Sequence, residues 1–298
     1  MTAERIVLLV HNLMFDQPLD LEGQVPPEDC ELTTDRSRHD EADAVIFHLP
    51  TLGDWRGLNK RPGQLWVGWT MECDAHYPAW QDPAYMMPFD LAMNYRRDAD
   101  VIAPYYGMRL HKELARLPQP KTAAKPVACF ISSSADRSGR SAYLSELMKH
   151  IEVDCYGRLS RNAMMEDDRG RESKLACIAR YKFTLAFENA LGKDYVTEKV
   201  YEPLMVGSVP VYMGTSDVGD FLPDAHCVIR TDAFESPRTL AEYLHELDTD
   251  EEAYAEYLAW KEKPLRDSFL RLLDQQRIHP FVRLCLKVKS ILNRRGSP

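Results

Sequence analysis

The chain has 298 residues, 45% hydrophobic and 28% charged, enough for two globular domains of ordinary size. Its net charge of −9 argues against a general nucleic-acid binder but leaves room for a local basic pocket that receives a nucleotide. Seven cysteines, at 30, 73, 129, 155, 177, 227 and 285, are odd in number, widely spaced and without a CxxC pair, which argues against a disulfide framework or zinc site and suits a reduced, cytoplasmic setting.

In chain order, the apolar run at residues 6–10 predicts a buried parallel strand; it is too short for a membrane span and lacks a signal-peptide cleavage pattern. Residues 16–43 are polar, carry Pro18, Pro26 and Pro27, and predict loops around an irregular element. AVIFHL at 44–49 predicts a second strand and residues 65–69 a third, while 89–93 and 101–103 bracket the Arg96-Arg97 segment. Strands alternating with helical patches predict a first α/β domain over 1–122. LPQPKTAAK at 117–125 is the expected linker, because its prolines and small residues break any helix. The second α/β domain is expected over 123–264. It opens with a strand at 127–131, followed by Ser132-Ser133-Ser134, an amphipathic helix at 140–150, a strand at 153–156 leading to Gly157-Arg158, and a polar loop at 160–173. A further strand is expected at 227–230 and a helix at 237–247. Residues 250–276 place Tyr254, Tyr257, Leu258, Leu265, Phe269 and Leu272 at helical spacings, broken or kinked at Pro264. The tail FVRLCLKVKSILNRRGSP is basic within an acidic chain; a packed C-terminal helix with a solvated face is preferred over an amphipathic helix on an anionic membrane surface.

The chain is organised around residues 181–214, YKFTLAFENALGKDYVTEKVYEPLMVGSVPVYMG. An apolar run of strand length at 183–187 leads directly into Glu188-Asn189. A Gly-containing loop, Tyr195 and Thr197-Glu198-Lys199 then open a helix that Gly207 ends, and 209–213 forms the next strand. In such a β-loop-α-β unit the polar groups lie at the carboxyl end of the first strand, where open α/β sheets receive ligands.

YKF-LAFEN, DYVTEKVYEPL and GSVPVYMG together resemble the donor-binding region of the α-1,3-fucosyltransferases (glycosyltransferase family 10), which transfer fucose from GDP-fucose. WVGWTMECDAHYP, FDLAMNYRRDADVIAPYY and DAFESPRTLAEYL resemble further family segments in family order, so the resemblance covers residues 40–250. It implies an α/β fold of two Rossmann-like domains facing a cleft (GT-B type), with the final helices, 265–298, packing back on the first domain. It implies transfer of L-fucose from GDP-β-L-fucose to an oligosaccharide acceptor, at O3 of N-acetylglucosamine in an N-acetyllactosamine-type glycan. Without the Golgi anchor of animal and plant members, a bacterial-type soluble enzyme is expected.

The resemblance also implies site residues. In the family an Arg early in the second domain and the Lys of the Y-x-T-E-K segment hold the diphosphate, which suits the bidentate charge-assisted bonds of Arg. SSSADRSGRSAYLSEL matches that first region, with Arg140 aligning best at a helix start that itself favours anions, and Arg137 as the fallback. The Lys is Lys199. Glu198 is expected to accept from ribose hydroxyls and Tyr195 to pack on the nucleotide, with Thr197 between them. Glu188 and Asn189 are expected to face fucose and diphosphate, and Arg158 to join them from the YGR segment, where Gly157 lets a ligand approach the backbone. The family's first-domain Glu corresponds to Glu72, the expected base; Cys73-Asp74 stands where many members carry Ser-Pro, and Asp74 and His76 are its rivals.

Two DxD pairs, Asp98/Asp100 and Asp248/Asp250, match a weak metal motif; pairing of Asp98 with Arg96 or Arg97 and helix capping by Asp250 are preferred, so no metal or other cofactor is expected to be required, and stimulation by a divalent metal stays open. With no activated Ser or Cys recognisable, one displacement with inversion is expected. Trp55, Tyr77, Trp69 and Trp80 are candidates for stacking on acceptor sugars, with core packing preferred for Trp66 and Trp69. The alternatives are another nucleotide-sugar transferase of the same architecture, or a catalytically silent GDP- or sugar-binding homologue.

Overall fold

The computed structural model describes residues 5–21 and 23–295. They divide into two compact units: residues up to Pro104 together with those from Gln276 onward, and Tyr105–Gln275.

In the first unit six parallel strands, β1 (Ile6–Asn12), β2 (Cys30–Thr33), β3 (Ala44–His48), β4 (Leu65–Trp69), β5 (Leu91–Asn94) and β6 (Val101–Ile102), lie in the order β2-β1-β3-β4-β5-β6. β3 and β4 are buried at every residue, as a parallel sheet covered on both faces requires. The period-two alternation of strand side chains sends Leu8, Val10, Ile46 and Val67 to one face, against Phe281, Leu284, Cys285 and Val288. It sends Val7, Leu9, Val45, Phe47 and Trp66 to the other, against Trp55 and Phe89. A short helix, α1 (Pro83–Met86), is capped by Asp82, whose carboxylate accepts from the Ala84 N–H.

In the second unit β7 (Val127–Cys129), β8 (Val153–Cys155), β9 (Phe183–Phe187), β10 (Val209–Met213) and β11 (Ile229–Arg230) are parallel in the order β11-β10-β9-β7-β8, so β9 is central. Its helices are α2 (Met108–Leu114), α3 (Arg140–Leu147), α4 (Arg171–Ile178), α5 (Glu198–Val206), α6 (Pro237–Thr249), α7 (Glu251–Glu256) and α8 (Asp267–Asp274). Phe183, Leu185 and Phe187 meet Leu144 and Leu147 of α3 and Leu240 and Leu244 of α6. On the other face Ala186 and Tyr212 meet Val200, Tyr201 and Leu204 of α5 and Phe269 of α8. Each sheet thus has the Rossmann-like plan of parallel strands between layers of helix or loop.

The expected division at 122/123 falls instead between Pro104 and Tyr105, because α2 packs on α5 and α8. The expected linker belongs to the second unit. Lys121 Nζ donates to the Ala179 carbonyl at 3.0 Å, the Thr122 and Ala123 N–H groups donate to the Arg180 carbonyl, and Pro118 lies against Gly207. Gly207 ends α5 at φ +73°, and a Cβ there would come within 2.7 Å of the Pro118 Cβ, so conformation and space both require glycine. Of the segment expected to pack back on the first unit, α8 stays with the second; the final helix, α9 (Pro280–Arg295), belongs to the first.

α9 ties down the basic tail. Lys287 pairs with Asp100 at 3.0 Å, Lys289 pairs with Asp29, and Arg295 donates to the Gly63 carbonyl at 3.3 Å. No helix among the described residues is long and apolar enough to cross a membrane. All seven cysteines are free and buried.

Candidate active site

The strand β9 delivers Glu188 to its carboxyl end as a fully buried carboxylate. The Thr197 N–H donates to it at 2.8 Å, and the Thr197 hydroxyl lies 2.9 Å from both carboxylate oxygens. Thr197 is the N-cap of α5, its hydroxyl also accepting from the Lys199 N–H at 3.4 Å, so one side chain caps the helix and clamps Glu188. Burial pushes the Glu188 carboxyl up and the Lys199 charge opposes it.

Lys199 Nζ lies 3.4 Å from Glu188, 3.1 Å from Glu198 and 3.1 Å from the Thr197 hydroxyl. Burial works against its charge, but the two carboxylates outweigh that and raise its pKa. Burial likewise opposes ionisation of Glu198, and Lys199 and Lys174 more than reverse it, so this half-exposed carboxylate is anionic. The loop before them is folded tightly: the Tyr195 N–H donates to the Gly192 carbonyl at 3.1 Å, and Asp194 sits at φ +61°, a conformation Asp tolerates better than most side chains. Tyr195 is buried, its ring edge-on to Tyr105 at 5.9 Å.

Arg140 is placed otherwise than expected. It is 1% exposed, and its guanidinium donates to the carbonyls of Phe187 at 3.1 Å, Ser133 at 2.9 Å and Ala135 at 3.2 Å, leaving Nε buried with no hydrogen-bond partner among the described residues. The start of α3 is not open to an anion either. Asp136 occupies it, accepting from the N–H groups of Gly139 at 2.8 Å, Arg140 at 3.2 Å and Ser141 at 2.9 Å. Partial burial opposes its charge, but these bonds hold its pKa down to about 2. The Arg137 N–H donates to the Asn189 carbonyl at 2.7 Å and the Ser138 hydroxyl to the Glu188 carbonyl at 2.6 Å, which ties this loop to the end of β9. The Arg137 side chain is exposed.

Arg158 is exposed beyond β8, its N–H donating to the Ser132 hydroxyl at 3.3 Å. Gly157 serves packing rather than ligand approach: a Cβ there would lie 2.1 Å from the Ile131 carbonyl oxygen. The structure therefore brings Glu188, Asn189, Tyr195, Thr197, Glu198 and Lys199 together with the loop of Arg137 and Arg140, and Arg158 joins through Ser132.

In the first unit Glu72 follows β4, half-buried, its N–H on the Thr70 hydroxyl at 3.0 Å. Burial and then the Glu72 charge raise the Tyr77 phenol. Cys73 is buried, its thiol donating to Asp74 at 3.2 Å and its carbonyl accepting from the His76 and Tyr77 N–H groups. The Cys73-Asp74 departure thus builds a turn with the thiol inside, and burial pushes that thiol up to about 12. Trp66, Trp69 and Trp80 are buried, and Trp55 packs edge-on against Trp66, Tyr85 and Phe89. Tyr77 alone of the four stacking candidates is neither buried nor in that aromatic cluster.

The aspartates of both DxD pairs are engaged. Arg96 chelates Asp98 at 2.9 and 2.7 Å, Asp100 accepts from the Ala92 N–H and Lys287, Asp248 pairs with Lys182, and Asp250 caps α7. Among the described residues no three His, Cys, Asp or Glu side chains form a metal-binding group. Sequence reasoning missed Asp136, which its place ahead of Ser138-Gly139 and the helix start signals, and Lys174. It also missed His48, which exchanges two bonds with Asn12 at the carboxyl ends of β1 and β3 and which burial holds neutral, its pKa near 4.

Comparison with known proteins bears on this geometry. A family model described as glycosyltransferase family 10 (fucosyltransferase) C-term matches residues 120–296, and one described as fucosyltransferase, N-terminal matches residues 2–106. Human 4-galactosyl-N-acetylglucosaminide 3-alpha-L-fucosyltransferase FUT6 is 35% identical over 274 residues, 86% of this chain and 73% of that protein. Human 3-galactosyl-N-acetylglucosaminide 4-alpha-L-fucosyltransferase FUT3 is 33% identical over 306 residues, 97% and 80% of the two chains. A solved alpha1,3-fucosyltransferase superposes with a TM-score of 0.66 at 17% identity over 98% of this chain and 91% of that one; another, with GDP-fucose, gives 0.60 at 15% over 90% and 82%.

The two Rossmann-like sheets and these fold neighbours define a fold of GT-B type. The chain belongs to glycosyltransferase family 10 and is a fucosyltransferase.

Proposed function

We propose that the enzyme transfers L-fucose from GDP-β-L-fucose to O3 of N-acetylglucosamine in an N-acetyllactosamine-type acceptor, with inversion to an α-linkage. The observation that carries this reading is the cationic Lys199 between Glu188 and Glu198 at the carboxyl end of β9, within the segment that matches the family. Lys199 stabilises the charge that builds on the departing GDP, Glu198 accepts from ribose hydroxyls, and Tyr195 and Asn189 line the donor. Arg140 reaches a phosphate only if the 133–135 loop releases a carbonyl, so it first shapes the loop, and Arg137 and Arg158 are the arginines already exposed. Glu72 takes the acceptor proton as the hydroxyl oxygen bonds to fucose C1 and the bond from C1 to the diphosphate breaks. No step is assigned to a metal, because the DxD carboxylates serve ion pairs, a backbone N–H and a helix cap.

The name of FUT6 supports O3, and that of FUT3 makes O4 the competing position. The test is product analysis after incubating the protein with GDP-fucose, with and without EDTA, on type 2 (Galβ1-4GlcNAc) and type 1 (Galβ1-3GlcNAc) acceptors. Transfer to O3 of the type 2 acceptor that survives EDTA supports the reading. Transfer confined to O4 of the type 1 acceptor, loss with EDTA, or GDP binding without turnover on any acceptor contradicts it. In a thermal melt GDP should protect more than UDP or dTDP.

A further inference from the structure

We propose that Lys174 on α4 is a positioning residue for the donor site: by occupying Glu202 it keeps Lys199 at the Glu188–Glu198 end of α5. This rests on the reading that Lys199 holds the diphosphate.

Glu202 lies one turn beyond Glu198 on α5, and its side chain is 5% exposed. A buried carboxylate needs cations. Both come from α4: Lys174 Nζ is 2.6 Å from Oε2, and the Arg171 Nε is 3.3 Å from Oε1. Arg171 is half-exposed and shared with Glu113 at 3.4 Å, which leaves Lys174 as the tighter partner. Lys174 also lies over the Phe130 ring at 5.7 Å, which fixes its approach.

Lys199 and Glu202 are three residues apart on one helix, the spacing at which Lys and Glu pair, and both line one small cavity with Lys174, Phe130 and Thr184. A long lysine with rotatable torsions can therefore choose between Glu202 and the Glu188–Glu198 pair. With Glu202 already neutralised, Lys199 stays where it is found, 3.1 Å from Glu198. With Lys174 gone, the buried Glu202 draws Lys199 down the cavity and away from the incoming phosphates.

The competition makes a double variant diagnostic. GDP affinity is measured by thermal-shift titration, and KM and kcat for GDP-fucose are measured alongside. Lys174→Met should weaken GDP and raise KM about ten- to a hundredfold, the worth of one charge-assisted contact, with a smaller change in kcat. Lys174→Arg should behave as wild type. Adding Glu202→Gln to Lys174→Met should restore GDP affinity to within about threefold, a residual far below one charge-assisted contact, because the competing charge is gone. Glu202→Gln alone should bind GDP as wild type, which keeps the test decisive if Lys174→Met does not fold. A merely structural ion pair gives the opposite pattern: Glu202→Gln alone weakens GDP, and the double variant is no better than Lys174→Met. That pattern, or full GDP affinity in Lys174→Met, overturns the proposal. Lys199→Met is the separate control: if it keeps wild-type GDP affinity, the reading of Lys199 fails, whatever Lys174 does.

Discussion

Replacing Thr197 by Val removes one hydroxyl that does two jobs. It lies 2.9 Å from both oxygens of the buried Glu188, and it caps α5 through the Lys199 N–H. Loss of the cap costs about 1 kcal/mol. Leaving a buried carboxylate short of a donor costs about 1–3 kcal/mol more, since among the described residues the Thr197 N–H and Lys199 are its remaining partners. The near-isosteric Val leaves no cavity, so the expected loss is about 2–4 kcal/mol, read as roughly 5–15 °C in melting temperature for a domain of this size. The loss should depend on pH. Burial raises the folded-state pKa of Glu188, so the folded protein holds that proton more tightly than the unfolded chain, and stability falls as pH rises from the ordinary carboxylate range through the raised value. Removing a donor to the anion raises the pKa further, so Thr197→Val should be most damaging at neutral pH and mildest in acid, where Glu188 is protonated. Urea denaturation at pH 7 and pH 4.5 measures both, with Thr197→Ser as the control that keeps the hydroxyl. A loss under about 0.5 kcal/mol, typical of a surface change, or an equal loss at both pH values, refutes the clamp.

Gly157→Ala should abolish folding at 37 °C, because its Cβ meets the Ile131 main chain at 2.1 Å and backbone cannot move aside as a side chain can; soluble yield and melting temperature measure this. Asp136→Ala, which removes the acceptor of the Gly139, Arg140 and Ser141 N–H groups, should cost about 0.5–2 kcal/mol at pH 7, the range of a lost cap. The depressed pKa of Asp136 means that its stabilisation is present above the ordinary carboxylate pKa and lost as pH falls to about 2, so the variant's acid limb should be flatter there. Arg140→Lys should lower the melting temperature even without nucleotide, since a lysine cannot donate to the Phe187, Ser133 and Ala135 carbonyls from one plane; an unchanged apo melt would contradict the loop-shaping role.

The central β-loop-α-β unit was legible residue by residue. β9 and β10 have the expected bounds, Thr197 caps α5 and Gly207 ends it, because those boundaries are set by local chemistry: an apolar run, a hydroxyl cap and a left-handed glycine. β4 was equally plain, being apolar throughout. β2 was missed because CELT is a short edge strand that buries only Cys30, so neither period nor composition marks it within polar residues 16–43. α4 was missed for a related reason. RESKLACI buries only Ser173, Cys177 and Ile178, and its two cations matter through Glu202, a partner far along the chain. Arg140 was misplaced because a sequence shows an arginine at a helix start but not the carbonyls of Phe187, Ser133 and Ala135 that surround it. The long helical pattern after residue 250 breaks, as Pro264 requires, into α7, a short 3-10 turn and α8.

The measurement to make is GDP-fucose turnover by wild type and Glu72→Gln on the same N-acetyllactosamine acceptor. Glu72→Gln keeps shape but cannot take a proton, so kcat should fall at least about a hundredfold while GDP still protects the fold in a melt. Full activity in Glu72→Gln would place the base elsewhere, with Asp74 and His76 next, and would contradict the mechanism.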